Sequence, residues 1–334
     1  MISTVRFILS YAPPNIDRFL RSAWQQIKKA TPFTVPKRYE WSIGIYRGQS
    51  PFCLAPAETL RMPVLTWRDI SDARVGGVAD PFMIMIANTW YMLFEIINLE
   101  SKKGEIALAT SENGLKWDYK QVVLKESFHL SYPYVFEWQG EMFMVPETQE
   151  AKSIRLYKAD SFPLRWSFVK TLITGKAYAD PSLVRFCDKW WLFTSTRTQD
   201  SCQAQAESLH LFIADDLFGP WHEHPLSPVV RGNSKIARPG GRIISFQNRL
   251  FRYTQDCAQS YGRQVCAVEI IELTADRYAE RMVSNEPIVK PVKGGWNEMG
   301  MHHIDPHQLQ DGSWLACVDG KRLVRLEPLP QTSL

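Results

Sequence analysis

One phrase recurs five times in this chain: a polar residue and a proline, a short strand, a turn, and an aromatic strand with a polar end. It runs from Ala79-Asp80-Pro81 to Trp90-Tyr91-Met92-Leu93-Phe94-Glu95, and from Ser131-Tyr132-Pro133 to Met142-Phe143-Met144-Val145-Pro146-Glu147. Three more copies run from Ala179-Asp180-Pro181 to Trp190-Trp191-Leu192-Phe193-Thr194, from Ala237-Arg238-Pro239 to Leu250-Phe251-Arg252-Tyr253, and from Ile304-Asp305-Pro306 to Trp314-Leu315-Ala316-Cys317. The prolines lie 52, 48, 58 and 67 residues apart, a period that fits one four-stranded blade and is too long for a helical-repeat unit. The expected fold is all-β, a five-bladed β-propeller.

The second half of each blade also repeats. Glu105–Ala109 leads to Trp117 and Val122–Leu124, Ile154–Ala159 to Trp166 and Leu172-Ile173, and Leu209–Ala214 to Trp221 and Val229-Val230. Alternating strands joined by polar turns such as Glu112-Asn113-Gly114 suit half-buried antiparallel sheet. The fifth phrase has no second half before the chain ends, whereas an orphan copy, Trp41–Gly48 followed by Pro63–Thr66, stands near the beginning. These N-terminal strands are therefore expected to complete blade five, which removes the exposed edges of an open row of blades. The expected organisation is an extension over residues 1–35 and a single propeller over 36–334.

A chain of 334 residues with 45% hydrophobic, 12% aromatic and 22% charged residues can bury a full core. Its net charge of +4 makes no case for nucleic acid, which needs a concentrated basic face. Six cysteines without CxxC spacing indicate neither a zinc site nor a disulfide framework, and scattered thiols suit a reducing, cytoplasmic setting. The apolar start Met1–Leu9 is short, interrupted by Arg6 and without a convincing cleavage site, and no stretch reaches the length of a membrane span. Residues 16–29 read as a helix with Ile16, Phe19, Leu20, Ala23, Trp24 and Ile27 on one face. It either packs on the propeller or, being basic, touches an anionic membrane or a sugar-modifying partner enzyme.

Innermost strands of a propeller surround a central funnel, so the repeat gathers Asp80, Tyr132, Asp180, Arg238 and Asp305 around its mouth. Asp-Pro is also an ordinary turn former, which is the plainer explanation of any single copy. Three aspartates and an arginine in one cavity point further, because like charges placed together raise one another's pKa and mark chemistry or ligand binding. Glycoside hydrolysis needs a carboxylic acid and a carboxylate. Asp80, Asp180, Asp305 and Glu147 supply candidates, and Glu95 ends its aromatic strand as Glu147 does.

Ala79-Asp80-Pro81-Phe82 and Ala179-Asp180-Pro181 in a five-bladed repeat resemble the superfamily of arabinanases, levansucrases and invertases, especially glycoside hydrolase family 43. His129-Leu130-Ser131-Tyr132-Pro133 with Val145-Pro146-Glu147-Thr148 is more closely similar to the N-terminal propeller region of plant glucosamine inositolphosphorylceramide transferases. Related bacterial stretches accompany sugar-modifying formyltransferases. The resemblance covers roughly residues 40–325. The family 43 pattern implies Asp80 as general base and Asp180 as the residue that orients and tunes the acid. Its general-acid glutamate would fall at Ala237, so that role is vacant or has passed to Glu147. In the plant proteins glycosyl transfer is expected in a separate C-terminal domain.

An arginine at the funnel mouth binds a carboxylate or phosphate bidentately, which suggests an acidic sugar or a sugar phosphate, or else pairs with a neighbouring aspartate. Trp90, Tyr132, Tyr134, Trp190 and Trp296 are candidates to stack on sugar rings, although most aromatics in so regular a repeat are core. His302, His303 and His307 flank Asp305. Strand alternation would let only one of His302 and His303 line the funnel, and His303 is kept as a substrate-binding candidate. His129 is expected to hydrogen-bond sugar hydroxyls. No cofactor is expected beyond a structural calcium. Two readings follow: a glycosidase-like enzyme with Asp80, Asp180 and Glu147 as its catalytic set, or a glycan-binding or scaffolding propeller that partners sugar-modifying enzymes. A protein-interaction propeller is weaker, since it needs no focused carboxylates.

Overall fold

A computed structural model describes residues 37–198 and 206–325, so the helix expected over residues 16–29 lies outside the described residues. Among the described residues, twenty strands form five four-stranded antiparallel sheets. The first two in chain order, β1 (Lys37–Ser50) and β2 (Cys53–Pro56), wait for the end of the chain. Blade one is β3 (Val75–Ile86), β4 (Thr89–Asn98), β5 (Lys103–Ser111) and β6 (Asp118–Leu124). Blade two is β7 (Ser131–Trp138), β8 (Glu141–Glu147), β9 (Ser153–Ser161) and β10 (Arg165–Thr174). Blade three comprises β11 (Ala179–Phe186), β12 (Lys189–Thr198), β13 (Ala206–Ala214) and β14 (His222–Glu223). Blade four comprises β15 (Ile244–Phe246), β16 (Arg249–Asp256), β17 (Gln264–Leu273) and β18 (Tyr278–Met282). Blade five begins with β19 (Ile304–Gln308) and β20 (Trp314–Arg325), and its sheet order β19-β20-β1-β2 is the expected closure.

The closing strand is held by its alternation. Ile43 and Ile45 enter a core with Met83, Trp90, Met92, Phe94, Leu315 and Cys317, while Tyr46 enters another with Phe251, Met301 and Trp314. Both isoleucines are fully buried, worth about 1.5–3 kcal/mol each against exposure. Two outer strands differ from expectation. The fourth strand of blade five is β2 rather than Pro63–Thr66, from which only Leu65 bridges Ile43, and that of blade three is β14 rather than Val229-Val230, from which Val230 bridges Leu209. Prolines 63 and 228 lack the N–H that a longer ladder would use.

The recurrent Xaa-Pro is a bulge in three blades. Asp80, Tyr132 and Asp180 have φ near +50°, and the ladder skips between Ala79 and Phe82, Ser131 and Tyr134, and Ala179 and Ser182. A left-handed residue before proline is unfavourable by about 1–3 kcal/mol and persists where its surroundings fix it. Asp305 departs from this pattern and stays in regular register opposite Cys317. In blade four, Gly241 sits so close to blade five that a Cβ would lie 1.8 Å from the Ile304 carbonyl oxygen.

Asp305 is accordingly not at the funnel mouth but inside the axis. It is fully buried and accepts from Arg242 Nε (2.7 Å), the Met83 N–H (2.6 Å) and His307 Nε2 (3.0 Å). Arg242 also donates to the carbonyls of Val135 (3.0 Å) and Met83 (3.2 Å), so one guanidinium ties blades one, two, four and five. Burial would raise the Asp305 pKa, but Arg242 and His307 hold it well below the usual carboxylate range. Tyr132, also expected to meet substrate, is fully buried. Its hydroxyl bonds Ser182 Oγ (2.8 Å) and the Gly241 N–H (2.7 Å), joining blades two, three and four. Removing the Asp305 charge with Asp305→Asn strands a largely buried guanidinium. Urea unfolding is expected to show a loss of about 3–5 kcal/mol, part of it recovered in Asp305→Asn/Arg242→Met; a loss below about 1 kcal/mol would contradict this role.

Candidate functional site

The polar end of the second strand of each blade returns to the start of the first strand. In the ladders Glu95 pairs with Ala79, Glu147 with Ser131 and Ser195 with Ala179. Gln255 donates its N–H to the Arg238 carbonyl, and Asp319 follows Val318, the partner of Ile304. Twice such a carboxylate reaches across to the next blade and accepts the N–H of its left-handed residue. Glu147 Oε2 accepts from Asp180 N (3.0 Å), and Asp319 Oδ2 from Asp80 N (3.2 Å). The same bulges therefore shape the backbone and bring carboxyl groups together.

Asp180 is clamped by Arg238 Nε (2.5 Å) and Gln255 Nε2 (2.6 Å) on one oxygen. Arg238 further lies 3.6 Å from Glu147 and 3.7 Å from Glu207, with Tyr261 under its guanidinium at 5.2 Å. Three carboxylates thus engage Arg238, so of its two expected parts the structure shows pairing with a neighbouring aspartate, Asp180, rather than an arginine left free for an anionic ligand. On the other side, Asp80 Oδ1 lies 3.6 Å from His302 Nδ1 and 3.9 Å from His303 Nδ1. Both histidines precede β19, so strand alternation does not separate them and both face Asp80. His302 stacks on Trp41 at 4.0 Å and lies 2.7 Å from Asp319 Oδ2. His303 is fully enclosed beside Phe82 and Tyr132, and burial lowers its pKa to about 4, so it is neutral.

Glu95 and His129 meet at the seam of blades one and two, with His129 Nε2 3.1 Å from Glu95 Oε1 and the imidazole partly exposed. Trp90 is elsewhere. It lies at the opposite end of β4, roughly 16 Å along the strand from Glu95 at about 3.3 Å per residue, and is a core residue. The structure thus gathers Asp80, Asp180, Glu147, Arg238, Glu95, His129 and His303, and withdraws Asp305, Tyr132 and Trp90 into packing. It adds Asp319, Glu207, Gln255, His302, Trp41 and Tyr261. Asp319 was recoverable from the repeat, since it ends the fifth aromatic strand as Glu95 and Glu147 end theirs. Glu207, Trp41 and Tyr261 stand outside the phrase. One ligand atom each from Asp80, His302 and Asp319 lie within 4.8 Å of one another, a set with which these residues can hold a cation. One imidazole with two carboxylates suits a zinc or manganese ion better than calcium, which prefers six to eight oxygens.

Residues 36–321 match the family model described as glucosamine inositolphosphorylceramide transferase 1, N-terminal. The chain belongs to this family. It is 38% identical over 301 residues to glucosamine inositolphosphorylceramide transferase 1 of Oryza sativa subsp. japonica and 32% identical over 300 residues to that of Arabidopsis thaliana. Each match covers 85% of this chain but only 40% and 39% of the relative, so the chain spans about two fifths of those proteins. Among solved structures, a Cellvibrio cellulosa α-L-arabinanase aligns with a TM-score of 0.53 at 13% identity, over 75% of this chain and 93% of that one. An exo-β-1,3-galactanase from Clostridium thermocellum aligns with a TM-score of 0.54 at 14% identity, over 72% and 58%. At such identities these likenesses concern the fold.

In this family member the site carries more buried acid than base. Glu95, Glu147, Asp80, Asp180, Glu207 and Asp319 are all under one tenth exposed, and Arg238 is the buried arginine among them. Burial, and then the charge of Asp180, push the Glu147 pKa up to about 8 against the pull of Arg238. Burial and the charges of Glu95, Asp180, Asp319 and Glu147 push Asp80 well above the usual range. For Asp319 burial is outweighed by His302 and backbone donors, which hold it low. Folded Glu147 thus keeps a proton that the unfolded chain loses near 4.5. The native state binds more protons between about pH 5 and 8, so stability falls as pH rises through that window. Tm is expected to fall from pH 5 to 8 in the wild type and to fall less steeply in Glu147→Gln; identical slopes would refute the assignment.

Proposed function

We propose that this chain is a carbohydrate-active propeller that processes a sugar of a glycoconjugate, with Glu147 as proton donor and Asp180 as the residue that orients it. The observation that carries this reading is the Glu147–Asp180 pair. Asp180 gives its N–H to Glu147 and is itself clamped by Arg238 and Gln255, while Glu147 is driven up to about 8 and so holds a proton at neutral pH. A carboxylic acid kept protonated beside a fixed carboxylate is the arrangement that protonation of a glycosidic oxygen requires. The opposing carboxylate comes from the blade-one side, where Asp80 and Glu95 lie.

The charge excess favours a neutral or amino sugar over an acidic or phosphorylated one, because an anion would add to carboxylates that Arg238 only partly offsets. The relatives named for glucosamine transfer are in keeping with that class. A second reading, a glycan-binding propeller without turnover, is favoured by Ala237-Arg238 standing where the family 43 pattern has its acid.

Two measurements separate these readings. Thermal-shift titration with methyl glycosides, D-glucosamine, D-glucuronate and glucose 6-phosphate is expected to show stabilisation by the first two classes only; a preference for the anions would overturn the charge argument. In a screen of methyl and 2,4-dinitrophenyl glycosides, Glu147→Gln should lower kcat at least about 100-fold on a cleaved methyl glycoside. It should change the dinitrophenyl glycoside far less, since that leaving group needs no proton. Equal losses on both would remove Glu147 as the acid, and binding without cleavage in the wild type would leave the glycan-binding reading.

A further inference from the structure

Glu95 differs from its two counterparts in what it touches. Glu147 and Asp319 are each spent on the N–H of the next blade's left-handed residue. By the same geometry Glu95 would serve the N–H of Tyr132, but it does not; its one polar side-chain contact among the described residues is His129 Nε2, at 3.1 Å. Glu95 is thus the strand-end carboxylate that the bulge architecture leaves uncommitted, next to Asp80 across the ladder.

His129 is fixed from three sides. The Gly104 N–H donates to its Nδ1 (2.9 Å), its own N–H donates to Glu150 Oε2 (2.6 Å), and the following Leu130 N–H donates to the Gly104 carbonyl (3.0 Å). Because Nδ1 accepts from Gly104, the neutral ring carries its proton on Nε2, the nitrogen that faces Glu95. Gly104 is also what lets the pair close. A Cβ there would lie 2.1 Å from the Leu130 carbonyl oxygen, 2.7 Å from Glu95 Oε1 and 2.8 Å from His129 Cε1. Asp80, by contrast, has a sealed Oδ1 with no hydrogen-bond partner, enclosed by His302 and His303.

From this geometry we infer that Glu95 is the reacting carboxylate opposite Glu147, and that His129 is its positioning residue, with Gly104 providing the space for both. The inference rests on the hydrolytic reading above. In the step it describes, a water oxygen bonds to the anomeric carbon as the glycosidic C–O bond breaks. The water proton passes to Glu95, and the departing oxygen takes the proton of Glu147, so one carboxyl group gains the proton that the other loses. His129 Nε2–H holds the Glu95 carboxylate toward the incoming water and is not itself consumed.

The test uses the full chain and whichever of 4-nitrophenyl N-acetyl-β-D-glucosaminide, α-L-arabinofuranoside and β-D-galactoside it cleaves fastest. Glu95→Ala is expected to lower kcat by about 100-fold or more with little change in KM, and sodium formate should restore part of the rate by taking the vacated carboxylate position. Near-isosteric Glu95→Gln should be as slow and insensitive to formate. His129→Ala should lose about 10-fold or more, and His129→Gln, whose amide still donates, should regain most of it; a merely structural histidine would show no such rescue. If Glu95→Ala and Glu95→Gln keep kcat within about threefold while Asp80→Ala abolishes turnover, the proposal falls and the hydrolytic reading stands. If the wild type cleaves none of the three probes, both fall together.

Discussion

The ion pair between Arg242 and Asp305 is the contact on which the rest of the structure depends. A propeller has no single core; its hydrophobic layers lie between neighbouring sheets, and nothing in them fixes the inner strands relative to one another across the axis. Here a largely buried guanidinium does so, bonding a carboxylate of blade five and carbonyls of blades one and two from its own place in blade four. Tyr132 extends the tie to blade three through Ser182. Such an ion pair adds little net stability over an apolar plug of the same volume, but it specifies one arrangement because every donor has one acceptor to find. The inner strands must be placed to this tolerance for carboxyl groups from different blades to meet.

The carboxyl groups meet because bulges make them. A left-handed residue before proline turns its N–H out of its own ladder, and at Asp80 and Asp180 the neighbouring blade's strand-end carboxylate takes it up. The backbone demand and the chemical cluster are thus one arrangement, and the repulsion that gathers around Asp80 and Glu147 is sustained by hydrogen bonds that the fold itself requires. Uncompensated buried acid of this kind keeps protons that isolated carboxyls would release, which is the condition for proton donation near neutrality.

The five blades and their closure were legible because a fixed hydrophobic period and its orphan copy are properties of sequence alone. The assignment of Asp305 to the mouth was not, since its Asp-Pro reads like those at Asp80 and Asp180 while its backbone keeps regular register. What decides between bulge and ladder is the neighbouring blade, which no local pattern reports. For Arg238 the sequence left open a ligand or a neighbouring aspartate; the aspartate is Asp180, and the further partners Glu207, outside the repeated phrase, and Glu147, in another blade, were not legible. Alternation misplaced His302 and His303 because the strand begins one residue after them. Glu95 and His129 were found as a glutamate and a histidine of interest, but their adjacency depends on Gly104, whose significance is an absent Cβ.

The closure of blade five by β1 has a consequence for how the molecule is made. β1 leaves the ribosome before every other strand of the propeller, and β20, with which it must pair, after all of them. At roughly 5–20 residues per second, β1 waits for some tens of seconds with one ladder edge open; Ile43 and Ile45 meet Met83, Trp90, Met92 and Phe94 early, whereas Tyr46 lacks Phe251, Met301 and Trp314 until the end. During that interval the nascent chain is a row of blades with a sticky strand at one end, and a second nascent chain presents the same strand to it. Blade completion between copies, an intermolecular version of the same clasp, is the misassembly that this architecture must outrun.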